Sequence, residues 1–178
     1  MNDDTDWARL LMRVRACTAC VPHLPLGPRP ILSASPTARL LITSQAPGRR
    51  AHEAGRTFAD ASGDRLRAWL GLTPEQFYDS TRIAIVPMGF CYPGTMEDGG
   101  DILPAARCSA TWHAPLLAHL TQVKLTLLVG RLTQERYLPE YIPLPHPSWR
   151  TLGWARKNAW FEAEMLPELR ARIAAILK

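Results

Sequence analysis

Lysine is nearly missing from this chain. Of its 21 basic residues only Lys124, Lys157 and Lys178 are lysines, so the net charge of +5 rests on arginine. Guanidinium groups suit planar, two-pronged contacts with phosphate. An arginine-rich source genome explains the same composition equally well, so the charge permits a nucleic-acid partner without establishing one. Long hydrophobic runs are also missing: none approaches the ~20 residues of a membrane span, and no membrane partner is expected. The opening residues MNDDTDW are acidic and lack the basic-then-apolar layout of a secretory leader, which sets the expected location as cytoplasmic, at the nucleoid if DNA is the partner. No low-complexity linker or internal repeat divides the chain. One domain over residues 1–178, long enough to bury a core without staples, is the expectation.

What is present alternates between short apolar runs and amphipathic stretches. Trp7, Leu10, Leu11 and Val14 fall on one face of an N-terminal helix. Pro22, Pro25, Pro28, Pro30 and Pro36 then keep the chain extended or turning. Leu40-Leu41-Ile42 reads as a buried strand, followed at once by the tight turn Ser44-Gln45-Ala46-Pro47-Gly48, a polar loop closed by Thr57 and Phe58, and a helix entered at Ser62. Thr73-Pro74-Glu75-Gln76 has the form of a capping box. Further strands are expected at Arg82–Val86, Lys124–Val129 and around Tyr141–Leu144, and a C-terminal helix carries Phe161, Met165, Leu169 and Ile173 on one stripe. This alternation predicts an α/β fold, a three-layer α/β/α sandwich with a central four-stranded, mostly parallel sheet. Right-handed crossovers would bring the Gln45, Pro87 and His146 turns to one sheet edge, where open α/β folds bind ligands.

The four cysteines form a second constellation. Cys17 and Cys20 make a C-x-x-C pair, and Cys91 and Cys108 lie far downstream. In a cytosolic protein two disulfides are disfavoured. Four thiolates suit zinc or an iron–sulfur cluster, while buried thiols acting as small hydrophobes are the plainer reading of Cys91 and Cys108.

In order, these motifs run C-x-x-C, strand, Ala-Pro-Gly turn, Gly-x-x-Phe, Ser-Gly helix start, two cysteines, an apolar strand ending in glycine, and His-Pro-Ser. The set resembles the uracil-DNA glycosylase superfamily, most of all its iron–sulfur branch, often called family 4, over roughly Cys17 to Arg150. The resemblance implies a [4Fe-4S] cluster on Cys17, Cys20, Cys91 and Cys108, with zinc as the alternative. It implies that Phe58 stacks on an extruded uracil, that His146 contacts the uracil carbonyl, and that the loop beyond it enters the DNA minor groove. Three departures are visible. Ser44 and Gln45 stand where the family turn has glycine and glutamate, Pro87 falls near the position of a base-reading asparagine, and Trp149 stands where a smaller residue is commoner.

Breaking an N-glycosidic bond puts positive charge on the sugar and negative charge on the departing base, so fixed donors, a placed water and a pocket outside the duplex are needed. The candidate catalytic residues are His146, as donor to a carbonyl oxygen, and Gln45, which can orient a water but as an amide cannot take its proton. Ala46, Gly48 and Phe58 are the candidate base-binding residues, with Phe58 offering a stacking face. Pro47, Arg49, Arg50, Ser148, Trp149 and Arg150 are the candidate DNA contacts, Trp149 as an intercalating wedge. His52 and Glu53 are titratable and near the turn, though surface positions account for them as well. The expected partner is DNA containing uracil or another damaged base, and the expected state is a monomer. A non-catalytic DNA-binding relative, or a nucleoside or nucleotide hydrolase, are the alternatives.

Overall fold

The computed structural model describes residues 3–97, 99–137, 142–148 and 151–178. Its sheet is parallel throughout. Strands β1 (Leu40–Thr43), β2 (Ile83–Ile85) and β3 (Leu125–Val129) form its body, with β1 in the middle. Leu40 is in register with both Ile83 and Leu125, and Ile42 with both Ile85 and Leu127. The outer side of β3 pairs with a three-residue segment, β4 (Ile142–Leu144), through Leu127–Ile142 and Val129–Leu144, giving the order β2-β1-β3-β4. The expected start of that segment at Tyr141 lies outside the described residues.

Every residue of β1 and β2 is buried. A strand covered on both faces must be apolar on both, which is why these segments read as short runs without alternation. One face carries Leu40, Ile42, Ile83, Ile85, Leu127 and Val129 against Leu66 and Leu70 of α3 (Ala61–Leu70) and Leu166, Leu169 and Ile173 at the C-terminus. The opposite face carries Leu41, Ala84 and Val86 against Trp7, Leu10 and Val14 of α1 (Asp3–Arg15) and Leu116 and Leu120 of α5 (Ala106–His119). Helices therefore cover the sheet on both sides.

Three helices before the C-terminal segment lie where no helix was expected. The supposed polar loop after Gly48 begins as α2 (Arg49–Ala54), stopped by Gly55 in the left-handed region at φ 66°. The Arg49–Glu53 ion pair, 3.0 Å at i,i+4 spacing, runs along its exposed side. The second is α5, whose first turn contains Cys108. The capping box at α4 (Pro74–Phe77) forms in full: Thr73 Oγ1 accepts from the Gln76 amide at 3.3 Å, and Gln76 Oε1 accepts from the Thr73 amide at 3.0 Å. Between Gly130 and His146 the chain makes the third unexpected helix, α6 (Arg131–Tyr137), before β4. The C-terminal segment consists of α7 (Leu152–Lys157), a π turn at Phe161–Met165 and α8 (Leu166–Ile176), with Phe161, Leu169 and Ile173 buried and Met165 partly so.

Candidate active site

All strands run the same way, so their carboxyl ends emerge on one edge. The β1 and β2 ladder continues into the turns beyond: the Met88 amide donates to Ser44 O at 2.7 Å and the Gly89 amide to Gln45 O at 2.9 Å. The turn after β1 is thereby laced to the turn after β2. From the other side comes the loop after β4. Its Gly130 neighbour at the end of β3 has φ 93°, and a Cβ there would come within 3.7 Å of His146. The result is an open cleft of about 620 Å³ whose lining includes Gln45, Phe58, Asp60, Pro87, His146 and Ser148. That volume lies in the range of small-ligand sites.

Ala46, Pro47, Gly48, Arg49 and Arg50 also line the cleft, so the whole turn is brought to it. Trp149 and Arg150 lie outside the described residues. Glu53 is exposed and engaged by Arg49. His52 is 7% exposed and packs against Tyr92, with ring centroids 6.1 Å apart; it is absent from the cleft wall, and its Nδ1 has no hydrogen-bond partner.

Phe58 sits at φ 55°, the one non-glycine residue with positive φ among the described residues. Such a conformation costs roughly 1–3 kcal/mol and persists only where neighbours over-determine it. Here the Tyr78 hydroxyl donates to the Phe58 carbonyl at 2.9 Å, and Arg67 Nη1 donates to it at 3.4 Å. The same carbonyl would lie 1.8 Å from a Cβ on Gly63, so α3 can approach this turn only with glycine at that position. The Phe58 ring packs edge-on against Phe77 at 5.9 Å and belongs to the sheet core while also lining the cleft. Phe58 is thus part of the core and of the cleft wall at once.

The His146-Pro147-Ser148 loop is tied down from two directions. Arg65 Nη1 of α3 donates to Pro147 O at 2.9 Å, and Thr151 Oγ1 donates to His146 O and Ser148 O, each at 2.7 Å. Burial holds the His146 imidazole below its ordinary value, and the carboxylates of Asp101 and Asp60 pull it partly back. Its imidazole is therefore neutral at physiological pH. Behind Pro87, His113 of α5 bonds the Pro87 carbonyl through Nε2 at 2.8 Å and the Tyr137 hydroxyl through Nδ1, fixing the turn where the family resemblance placed an asparagine.

Three charged cleft residues were not singled out in the sequence: Asp60, Arg65 and Asp101. Asp60 had a readable signal. It caps α3, accepting from the Ser62 and Gly63 amides at 2.9 and 3.0 Å, so the helix starts one residue before Ser62 rather than at it. Arg65 had none, because its partner lies 82 residues away.

The four cysteines are brought together on the far side of the loop after β2. All are half-buried and free of disulfides, and they line one cavity of about 160 Å³ with His23, Phe90 and Pro104. Arg107, beside Cys108, donates to the Ala19 carbonyl at 3.2 Å and holds the C-x-x-C loop to the start of α5. Burial pushes the Cys108 thiol up to about 12 and raises Cys91; Cys17 and Cys20 add to both shifts as negative charge, and Cys91 adds to that of Cys108. Among the described residues no three His, Cys, Asp or Glu side chains form a group arranged around one metal ion.

The family model of the uracil DNA glycosylase superfamily matches residues 33–170. That span contains the whole cleft together with Cys91 and Cys108; Cys17 and Cys20 precede it.

Proposed function

Because this chain belongs to the uracil DNA glycosylase superfamily, we propose that it is a DNA repair N-glycosylase, hydrolysing the glycosidic bond of uracil or a related damaged base flipped out of DNA. The observation that carries this reading is the meeting of the Gln45, Pro87 and His146 turns with Phe58 around one open cleft. An extruded base needs a stacking face, a donor to its carbonyl oxygen and walls that keep it out of the duplex. Phe58 supplies the first. His146, neutral and on a pinned loop, supplies the second: it is a donor that need not be repositioned as negative charge builds on the departing base. Arg49 and Arg50 on the cleft rim, with Ser148 opposite, suit the flanking phosphates. Gln45 orients the attacking water without taking its proton.

In the same reading the chain is of the iron–sulfur type and acts as a cytoplasmic monomer. Cys17, Cys20, Cys91 and Cys108 would hold a [4Fe-4S] cluster. The donor set fits: four soft thiols line one cavity, where burial disfavours the Cys91 and Cys108 thiolates and a bound cation would offset that. Zinc, which takes four thiolates about 2.3 Å from one centre, is the alternative occupant. The cluster when bound would supply a brace between the N-terminal loop and α5.

The replacements Gln45 and Pro87 favour a second reading, a DNA-binding relative without hydrolysis. Incubating anaerobically prepared protein with single- and double-stranded oligonucleotides carrying uracil or a panel of damaged bases separates the two. Alkali-labile abasic sites are the expected product; binding without product on the whole panel overturns the enzyme reading.

A further inference from the structure

The chemistry leaves one role vacant. Neither Gln45 nor Pro87 can accept the proton of an attacking water, Glu53 is held by Arg49, and His52 is not on the cleft wall. Two carboxylates do line the cleft, Asp60 and Asp101. Asp101 is exposed, on a loop closed by backbone hydrogen bonds from Ile102 to Gly94 and from Met96 to Gly100, and those bonds hold its backbone. Asp60 is fixed. Its Oδ1 alone takes the whole cap, accepting from the Ser62 amide, the Gly63 amide and the Ser62 hydroxyl at 2.9, 3.0 and 2.5 Å. Its Oδ2 takes no part in the cap and lies 3.8 Å from the position of a Cβ on Gly48, over the turn after β1. A carboxylate oxygen is thus held beside Gly48, in the turn whose Gln45 stands where the family has an acid, with its partner oxygen bound by three donors. Groups held in this way are suited to catalysis because their geometry is set before substrate arrives.

We propose that Asp60 is a catalytic residue of this site, its Oδ2 acting as the acceptor of the water proton in place of the acid missing at Gln45. The proposal rests on the glycosylase reading above. In the step, the bond between C1′ and the base nitrogen breaks with its electron pair leaving on the base. The water oxygen bonds to C1′ while one water proton passes to Asp60 Oδ2 and from there to solvent. The base anion takes a proton from solvent on release. Until the water adds, the carboxylate also faces the positive charge developing on the sugar, which it stabilises more strongly in the transition state than in the ground state.

The test separates charge from capping. Asparagine and serine cap helices about as well as aspartate, so Asp60→Asn and Asp60→Ser keep α3 while removing the carboxylate. Expected are unchanged melting temperature, unchanged affinity for uracil-containing DNA, and a single-turnover excision rate lower by about 100-fold or more in both, the usual range for a lost general base. A folded variant that excises within threefold of the parent overturns the proposal, as does a rate loss matched by an equal loss of DNA affinity. If Asp60→Asn does not fold, Asp60→Ser is read alone, and two unfolded variants identify a structural carboxylate and overturn it too. No product from the parent chain on any base overturns the glycosylase reading itself, and the role of Asp60 with it.

Discussion

Arg65 and Pro147 are joined by a 2.9 Å hydrogen bond between a guanidinium on α3 and a carbonyl on the loop after β4. Through it the helix that begins at the Phe58 turn holds the loop that carries His146, beside the bonds that Thr151 makes to the same loop. Removing the guanidinium loosens that loop without touching the imidazole. Arg65→Ala is expected to lower excision about tenfold, with a stability loss of about 1.5–3 kcal/mol, the value of a hydrogen bond from a charged donor. Single-turnover kinetics beside thermal unfolding measure both, and equal activity in parent and variant removes Arg65 from this role.

His146→Ala deletes the donor to the departing base. A loss of about 100- to 1,000-fold in excision is expected, as for removal of one donor in comparable sites. Circular dichroism and melting should stay close to the parent, because Arg65 and Thr151 bind backbone carbonyls of this loop that the substitution leaves in place. A variant with parental rates would move the leaving-group contact elsewhere.

Gly63 carries the close approach of α3 to the strained Phe58 turn. Its Cβ would meet the Phe58 carbonyl at 1.8 Å, with no flexible side chain to give way. Gly63→Ala should destabilise the fold by about 3 kcal/mol, the upper range for overpacking, and urea unfolding reads this directly. A difference below about 0.5 kcal/mol would mean that the turn is free to relax.

Stability should depend on pH in a window set by three histidines. His52, His113 and His146 are all held below the ordinary value of 6.5, each mainly by burial. The folded protein keeps them neutral while the unfolded chain takes up protons, so stability falls as pH drops through 6.5 and is restored above it. Glu75, whose carboxyl is lowered chiefly by a bond to its own backbone amide, acts in a more acidic range. Melting at pH 5 and 7.5 should differ in favour of the higher pH, and His113→Gln should shrink the difference; a flat profile contradicts it.

Serine at Cys91 or Cys108 should abolish metal binding, since each supplies a quarter of the thiol set. Anaerobically purified parent is expected to be brown with matching iron and sulfide, and either variant colourless and lower melting. A colourless parent containing zinc would replace the cluster by a single ion.

Much of the architecture follows from local pattern. Leu40-Leu41-Ile42 and Ile83-Ala84-Ile85 are apolar on both faces because helices cover both sides of a parallel sheet, and that condition is written into the residues themselves. The Thr73 capping box and the face made by Trp7, Leu10 and Val14 are equally local. So is the ordered motif set that carried the family resemblance. Parallel strands then leave their turns on one edge, which brought Gln45, Pro87 and His146 to the cleft. What local pattern could not supply depends on distance across the chain. Arg65 reaches Pro147, Tyr78 and Arg67 hold Phe58 in a left-handed conformation, and His113 supports Pro87, each through contacts between segments 9 to 82 residues apart. Asp60 lies between these cases. Its cap was legible in Asp-Ala-Ser-Gly, but only the packing of α3 against Gly48 puts its second oxygen beside the turn whose Gln45 stands where the family has an acid. Sequence fixes which groups a residue offers, and tertiary packing decides which of their atoms remain for chemistry.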